Sequence, residues 1–326
     1  VNATATSTTL QFKNVAGTAD AYTINFNADN TGNTDAGIVT IDKIEKVTVN
    51  SVGKAGVTKN TITLQDADAK SIVVTGDKAL EIKVGATNLG GTVAADPTNG
   101  LGVSTIDASN STAGITIAAL DFAKINAGYS GLTIKGGAGA DDIKTGTTTA
   151  NALTIETGAG KDTIDLRSAT ATTATEKIIV NAGAGDDTIF VGKNGGTFTL
   201  GTGIDTIAAS DAVVLTGKLT VADGAIKTTI TDFAKGDVIK VLATNTLFAK
   251  ANITGAANLD DALGAAATGA ANVVTWFQYA GNTYIVDTAA AGGAGGLVAG
   301  DLVVKLNGVV DLGNATLSNG TDITIA

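Results

Sequence analysis

Four short segments carry the residues best suited to chemistry. Gly136–Lys144 reads GGAGADDIK, and Thr157–Asp165 (TGAGKDTID), Ala182–Phe190 (AGAGDDTIF) and Leu200–Ala208 (LGTGIDTIA) follow it. The first satisfies every fixed position of the nonapeptide G-G-x-G-x-D-x-U-x, where U is large and apolar; the others lack only the first glycine. The carboxylates are Asp141, Asp162, Asp187 and Asp205. The glycines ahead of them are Gly136, Gly137 and Gly139, then Gly158 and Gly160, Gly183 and Gly185, and Gly201 and Gly203. Glycine permits the positive φ of a tight turn that aims carbonyl oxygens inward, and aspartate adds a short, rigid carboxylate. Such an all-oxygen set suits calcium, which takes six to eight oxygens at about 2.3–2.6 Å. One loop cannot supply that many, so an ion would sit between two stacked loops, and four loops make up to three sites.

The spacing says which elements must position these turns. Successive aspartates lie 21, 25 and 18 residues apart. Two nonapeptides amount to one turn of a roll with two strands per turn, and the two longer intervals contain the small polar stretches Thr145–Ala150 and Arg167–Thr175, expected as loop insertions. Plain β runs lie between the motifs at Leu153–Ile155, Lys177–Val180, Thr197–Leu200 and Val213–Leu215. The glycine–aspartate turns should therefore stack on one edge, with Ile143, Ile164, Ile189 and Ile207 pointing into the roll. Asp142, Asp165 and Asp186 are expected to face solvent or tune the field, and Asn27–Asp35 to be a polar loop.

Upstream, from Thr9 to about Lys135, short runs rich in Val, Ile and Thr recur roughly every ten residues between Asn/Gly/Asp/Ser turns, which is strand behaviour. They include Tyr22–Asn27, Lys46–Val52, Thr61–Gln65, Ser71–Thr75, Leu80–Val84, Gly114–Ala118 and Leu132–Lys135. Evenly spaced short strands without a long helix suit a sandwich, a barrel or a solenoid. Downstream of about Ser210 the pattern changes. Thr229–Val241 gives two β runs around a turn, and Asn258–Ala267 is a helix candidate capped by Asn258. Val273–Tyr279, Thr283–Val286 and Leu302–Leu306 read as strands that hold Trp276 and Phe277 in a core, and Ala289–Gly300 reads as a mobile Ala/Gly loop. The expected organisation is three regions, 1–135, 136–210 and 211–326: a β-rich solenoid or sandwich, a calcium-binding β-roll, and a β-rich C-terminal cap with one short helix. The fold class is all-β.

Composition excludes several functions. The 326 residues include no His, Cys or Met, 42 Gly, and 31 acidic against 21 basic side chains, for a net charge of −10. Without His or Cys there is no Ser-His-Asp or Cys-His nucleophile, no ordinary zinc site and no iron–sulfur cluster. The negative charge argues against nucleic acid or an anionic membrane as partner, and no stretch is long and apolar enough for membrane insertion. Only four of the acidic residues are Glu (Glu45, Glu81, Glu156, Glu176), leaving 27 Asp, a bias toward turns and hard-cation chemistry. A glycosidase pair such as Asp260/Asp261 is a poor candidate, so the chain is expected not to be an enzyme. No secretory signal peptide opens it, and it is expected to begin inside a longer protein or after processing.

Magnitudes make the metal decisive for folding. Turns stacked about 4.8 Å apart set neighbouring carboxylates against each other by roughly 1 kcal/mol in water and about 3–4 kcal/mol at an effective dielectric of 20. An inward Ile returns about 1.5–3 kcal/mol, largely consumed by about 1–2 kcal/mol of backbone ordering per residue. A site with Kd near 0.1 mM gains roughly 1.4 kcal/mol at about 1 mM calcium, and three gain about 4 kcal/mol. At submicromolar calcium this contribution vanishes, so the roll should be marginal inside a cell and folded outside it.

On these residues the chain resembles RTX proteins exported by type I secretion. More narrowly, it is similar to the C-terminal part of Gram-negative surface-layer proteins of the Caulobacter and Campylobacter type. The narrower resemblance rests on Ser71–Leu80 (SIVVTGDKAL) and Val103–Ser109 (VSTIDAS) ahead of the motifs, the tail Val274–Val286 with Asp301–Leu317, and the Thr/Ala/Gly-rich composition. It implies calcium on Asp141, Asp162, Asp187 and Asp205 with their loop glycine carbonyls, and an uncleaved secretion signal in roughly the last 60 residues. It also implies the type I machinery as partner, an extracellular location on the cell surface, and self-assembly into a calcium-dependent lattice. Such proteins anchor to outer-envelope polysaccharide through an N-terminal domain that is not seen in this sequence. The alternative is a folding and secretion module of a larger adhesin or hydrolase.

Overall fold

A computed structural model of the chain describes residues 7–11, 17, 19–41, 43–66, 68–84, 103–120, 131–146, 152–168, 178–210, 212, 226–242, 245–268, 271–289 and 296–325. The expected strand Val213–Leu215 lies outside them, as do most of the insertions Thr145–Ala150 and Arg167–Thr175 and residues 290–295 of the Ala/Gly loop. The chain forms two compact units, residues 1–177 with 182–184, and residues 178–181 with 185–326.

In the first unit consecutive strands alternate between two parallel sheets. One sheet takes β1 (Ser7–Leu10), β3 (Asp35–Ile41), β5 (Lys59–Gln65), β7 (Ala79–Val84), β9 (Ile115–Leu120), β11 (Asp142–Thr145) and β13 (Thr163–Asp165), in that order. The other takes β2 (Ala21–Asn25), β4 (Lys46–Ser51), β6 (Ser71–Gly76), β8 (Thr105–Ser111), β10 (Gly131–Lys135) and β12 (Ala152–Glu156). Each strand pairs with the one two places on, the arrangement of a roll with two strands per turn, and no barrel closes. The solenoid among the three upstream architectures is the one observed. Pairing of β10 with both β8 and β12 carries the same stacking from the upstream strands into the glycine–aspartate repeats.

Period-2 alternation explains why these segments are strands. In β5 (KNTITLQ) Asn60, Ile62 and Leu64 are buried while Thr61, Thr63 and Gln65 face outward. Ile62, Ile82, Ile117, Ile143 and Ile164 follow one another inside one sheet, and Ile72, Ile106, Ile134 and Ile155 inside the other. Burying such a side chain contributes about 1.5–3 kcal/mol. On the outer faces polar residues ladder between turns: Asn50 donates to Asn25 at 3.1 Å, Thr75 donates to Asn50 at 3.2 Å, and Lys59 pairs with Glu81 at 2.8 Å.

The second unit begins with the same pattern. β15 (Thr188–Phe190), β17 (Thr206–Ala208) and β19 (Val238–Lys240) form one parallel series, and β14 (Ile178–Asn181), β16 (Gly196–Thr199) and β18 (Thr228–Ile230) the other. Each series then turns antiparallel. β25 (Asp322–Ile325) pairs antiparallel with β19 and with β24 (Ala315–Ser318), while β23 (Leu302–Leu306) joins β18 in parallel and β22 (Asn282–Thr288) in antiparallel register. β22 also pairs with β21 (Val273–Tyr279), whose other neighbour is β20 (Leu247–Lys250). Helix α1 (Leu259–Ala266) is capped by Asn258, whose side chain accepts from the Asp261 N–H at 2.9 Å. It buries Ala262, Leu263 and Ala266 against Phe277, Tyr284, Val286 and Val303, with Phe277 stacked on Tyr284 at 5.2 Å. Among the described residues no helix is long and apolar enough to cross a membrane.

Candidate metal centre

The four aspartates singled out by the motif are all buried, Asp141 and Asp187 at 2 % exposure and Asp162 and Asp205 at 1 %. Each sits immediately ahead of its strand, at the last turn residue before the ladder begins. In the first unit the Asp141 N–H donates to Asp162 Oδ1 at 2.8 Å, and the Ile115 N–H donates to Asp141 Oδ1 at 2.6 Å. The second Asp141 oxygen accepts from the Gly137 N–H at 3.1 Å. In the second unit the Asp187 N–H donates to Asp205 Oδ1 at 2.8 Å, and the Asp205 N–H donates to Asp237 Oδ1 at 3.1 Å. The backbone ladder starts beside these bonds, with Thr163 donating to the Asp141 carbonyl and Thr206 to that of Asp187, both at 2.8 Å.

Asp237 is a further rung that the glycine motif does not reveal. It is buried, and its Oδ2 accepts from the Ala234 N–H at 2.9 Å. Its turn, Phe233-Ala234-Lys235-Gly236, lacks both motif glycines. The legible signal is Asp-x-Ile, which recurs as Asp141-Asp142-Ile143, Asp162-Thr163-Ile164, Asp187-Thr188-Ile189, Asp205-Thr206-Ile207 and Asp237-Val238-Ile239.

The glycines let the turns stack backbone on backbone. Gly158, Gly160, Gly183, Gly185, Gly201 and Gly203 have φ between +98° and +144°. A Cβ on Gly183 would lie 2.0 Å from the Gly158 oxygen, and one on Gly203 2.1 Å from the Gly185 oxygen. Gly136, Gly137 and Gly139, in the one complete motif, depart from the expected positive φ. Glycine is required there by close approach instead: a Cβ on Gly137 would lie 2.1 Å from the Ala113 oxygen, and one on Gly136 2.0 Å from Asp141 Oδ2.

The column has neutral members. The register that carries Asp141 places Ile115 beside it, Leu80 beside Ile115, and Asn60 beside Leu80. Asn60 is fully buried, and its Oδ1 accepts the Thr34 N–H at 3.3 Å, an uncharged version of the bond made by the aspartates. A neutral amide thus suffices to cap the ladder where the turn ahead carries no Gly-x-Gly pair, and the negative charge at the motif rungs exceeds what that bond needs.

Asp141, Asp205 and Asp237 form no ion pair among the described residues. Burial pushes Asp141 up to about 7, with the Asp162 carboxylate adding to it. Burial likewise pushes Asp205 up to about 6, helped by Asp237, Asp232 and Asp186, and raises Asp162 and Asp237. Asp205 Oδ2 is buried without a hydrogen-bond donor. Oxygen-only donors with surplus buried charge fit a hard cation. Among the described residues no three acidic side chains gather into a metal-holding group, so the carboxylates alone make no cage and backbone oxygens of the glycine turns would have to complete one.

The flanking acids behave unequally. Asp142 and Asp186 are exposed as expected, Asp186 Oδ1 accepting the Ile204 N–H at 2.9 Å. Asp165 departs from expectation: it is buried, held by the Arg167 guanidinium at 2.8 Å, which keeps its carboxyl below the usual range. Asn27–Asp35 is a polar turn segment in which Asn27 accepts from the Asp29 N–H and Asn30 donates to Thr34. Trp276 and Phe277 are core residues.

Fold and site together define a parallel two-sheet β-roll whose turns stack glycine on glycine and aspartate on aspartate. No family model matches the chain, and no curated protein matches it.

Proposed function

We propose that this chain is a structural, non-enzymatic protein whose roll is set by calcium: Asp141, Asp162, Asp187 and Asp205, with backbone oxygens of Gly136, Gly137, Gly139, Gly158, Gly160, Gly183, Gly185, Gly201 and Gly203, hold Ca2+ between turns. The observation that carries this reading is the contrast along one register column, neutral at Asn60 and charged behind the Gly-x-Gly turns. Calcium supplies positive charge to buried carboxylates, of which Asp141 and Asp205 form no ion pair among the described residues. The chain's own part is to present oxygens on stacked backbones and to exclude water behind a column of isoleucines.

The wider proposal is that such a protein is exported by a type I system, folds in extracellular calcium, and associates with copies of itself as a surface layer. An all-β roll and a cysteine-free acidic chain support that assignment. Far-UV circular dichroism with chelator and with about 1 mM calcium, the range of weak extracellular sites, tests the metal reading: β signal and cooperative unfolding should need calcium. An identical spectrum and unfolding midpoint in both would overturn it. Analytical ultracentrifugation tests assembly; a calcium-independent monomer would remove the lattice while leaving calcium folding standing.

A further inference from the structure

A second group of buried acidic oxygens lies in the antiparallel part of the second unit, where no glycine motif occurs. Asp287 sits on the central strand β22, opposite Val274 of β21 and Leu302 of β23, and is fully buried. Its Oδ2 accepts the Leu242 N–H at 2.8 Å and an Asn245 side-chain N–H at 2.9 Å. Asn245 is 7 % exposed, and its Nδ2 also donates to the Leu242 carbonyl at 2.8 Å. Both amide hydrogens are therefore spent on acceptors, and turning the amide over would press its oxygen against two others. That fixes Asn245 Oδ1 as an acceptor, and it has no donor; neither does Asp287 Oδ1.

A third group completes the cluster. Asp301, also fully buried, precedes Leu302 and accepts the Ala289 N–H at 3.1 Å and the Val298 N–H at 2.8 Å. Neither Asp287 nor Asp301 forms an ion pair among the described residues. Burial, and after it the Asp301 carboxylate, pushes Asp287 up to about 6. Two donorless oxygens on side chains already bonded to each other, one of them a carboxylate, are matched by something electron-poor set against both.

We propose that Asp287 Oδ1 and Asn245 Oδ1 ligate a divalent cation of calcium's class, with the Asp301 carboxylate balancing its second charge. The donors are a carboxylate and an amide carbonyl, hard oxygens of the kind calcium takes, and the two carboxylates match its charge. This site is separate from the glycine–aspartate turns and does not rest on the reading given for them.

Trp276, the chain's one tryptophan, offers a local reporter. It lies on β21 two residues from Val274, the partner of Asp287, about 7 Å along the strand. Terbium added to the full chain and excited at the red edge of indole absorption, where tyrosine is silent, should give sensitised emission that calcium displaces and sodium at equal ionic strength does not. Asp287→Asn should abolish that emission. The new amide oxygen can accept both existing N–H groups and the new NH2 can donate to Asn245 Oδ1, so this variant should fold as well as wild type in chelator. Asn245→Ala provides a second variant, expected to weaken the emission while circular dichroism reports the fold. Absence of calcium-displaceable emission in the wild type would mean that a water or a shared proton satisfies the two oxygens, and would overturn the proposal. Equal emission from wild type and Asp287→Asn would do the same.

Discussion

The backbone N–H of Asp141 donates to Asp162 Oδ1 one turn along the roll, and the N–H of Thr34 donates in the same way to Asn60 Oδ1. One structural task, supplying an acceptor to the last N–H before a parallel ladder, is thus done by a carboxylate in one place and an amide in another. Charge is the difference, so exchanging the two residue types separates hydrogen bonding from cation binding.

Asp162→Asn keeps the acceptor and removes the charge. In chelator the variant should be as stable as wild type or slightly more so, because a buried charge is gone. In calcium at ten times the site's Kd it should lose roughly 1.4 kcal/mol of the stabilisation that wild type gains. Denaturant unfolding with and without calcium reads both quantities, and an equal calcium response in the two proteins would contradict the assignment.

Asn60→Asp is the converse. It puts a carboxylate into the column where Leu80 is the next rung and the turn ahead of it carries no Gly-x-Gly pair. The Asn60 Nδ2 bonds to Ser51 Oγ at 3.1 Å and to the Val52 carbonyl at 3.2 Å would also be lost. Destabilisation of about 1–3 kcal/mol is expected, and calcium should not relieve it. Relief by calcium would show that the Gly-x-Gly pair is not needed for a site.

Gly183→Ala tests the stacking itself. Gly183 has φ of +98°, and its Cβ would lie 2.0 Å from the Gly158 oxygen. The left-handed backbone costs about 1–2 kcal/mol and the clash about 1–3 kcal/mol more. Gly281→Ala shares the positive φ, at +80°, but has nothing within 4 Å, so it should cost only the first amount. Thermal unfolding of the two variants should separate the contributions; equal losses would mean that the stacked oxygen yields freely.

Much of this architecture is legible in the sequence. Alternation in runs such as KNTITLQ and SIVVTG marked the strands to within a residue or two, since burial on one face leaves little choice of period. The aspartate spacing located the stacked turns because two strands and two turns must fit each interval. What stayed hidden had non-local causes. Asp237 has no Gly-x-Gly ahead of it and acquires its role only because β19 stacks on β17. The hairpin of β24 and β25 is short and polar in sequence, and is a strand pair because β19 offers it an edge. The Asp287–Asn245–Asp301 cluster joins three separate stretches of chain, and Asp165 is buried at the end of β13 with Arg167 paired to it.

The raised aspartates set a pH dependence whose sign depends on calcium. A carboxyl in the unfolded chain titrates near 3.9, whereas folded Asp141 titrates at about 7 and folded Asp205 at about 6. A folded-state pKa above the unfolded one means that the native protein binds more protons in the interval between them. Stability then falls as pH rises through that interval. In chelator the protein should be most stable near pH 4 and lose stability toward pH 7, on the order of 2 kcal/mol per group. A bound cation favours the ionised carboxylates, so saturating calcium should flatten or reverse the slope as protons cease to compete. Midpoints of urea unfolding, measured between pH 4 and pH 8 in chelator and in calcium, should diverge as pH increases. Parallel curves would mean that the aspartate column neither holds its protons nor exchanges them for metal.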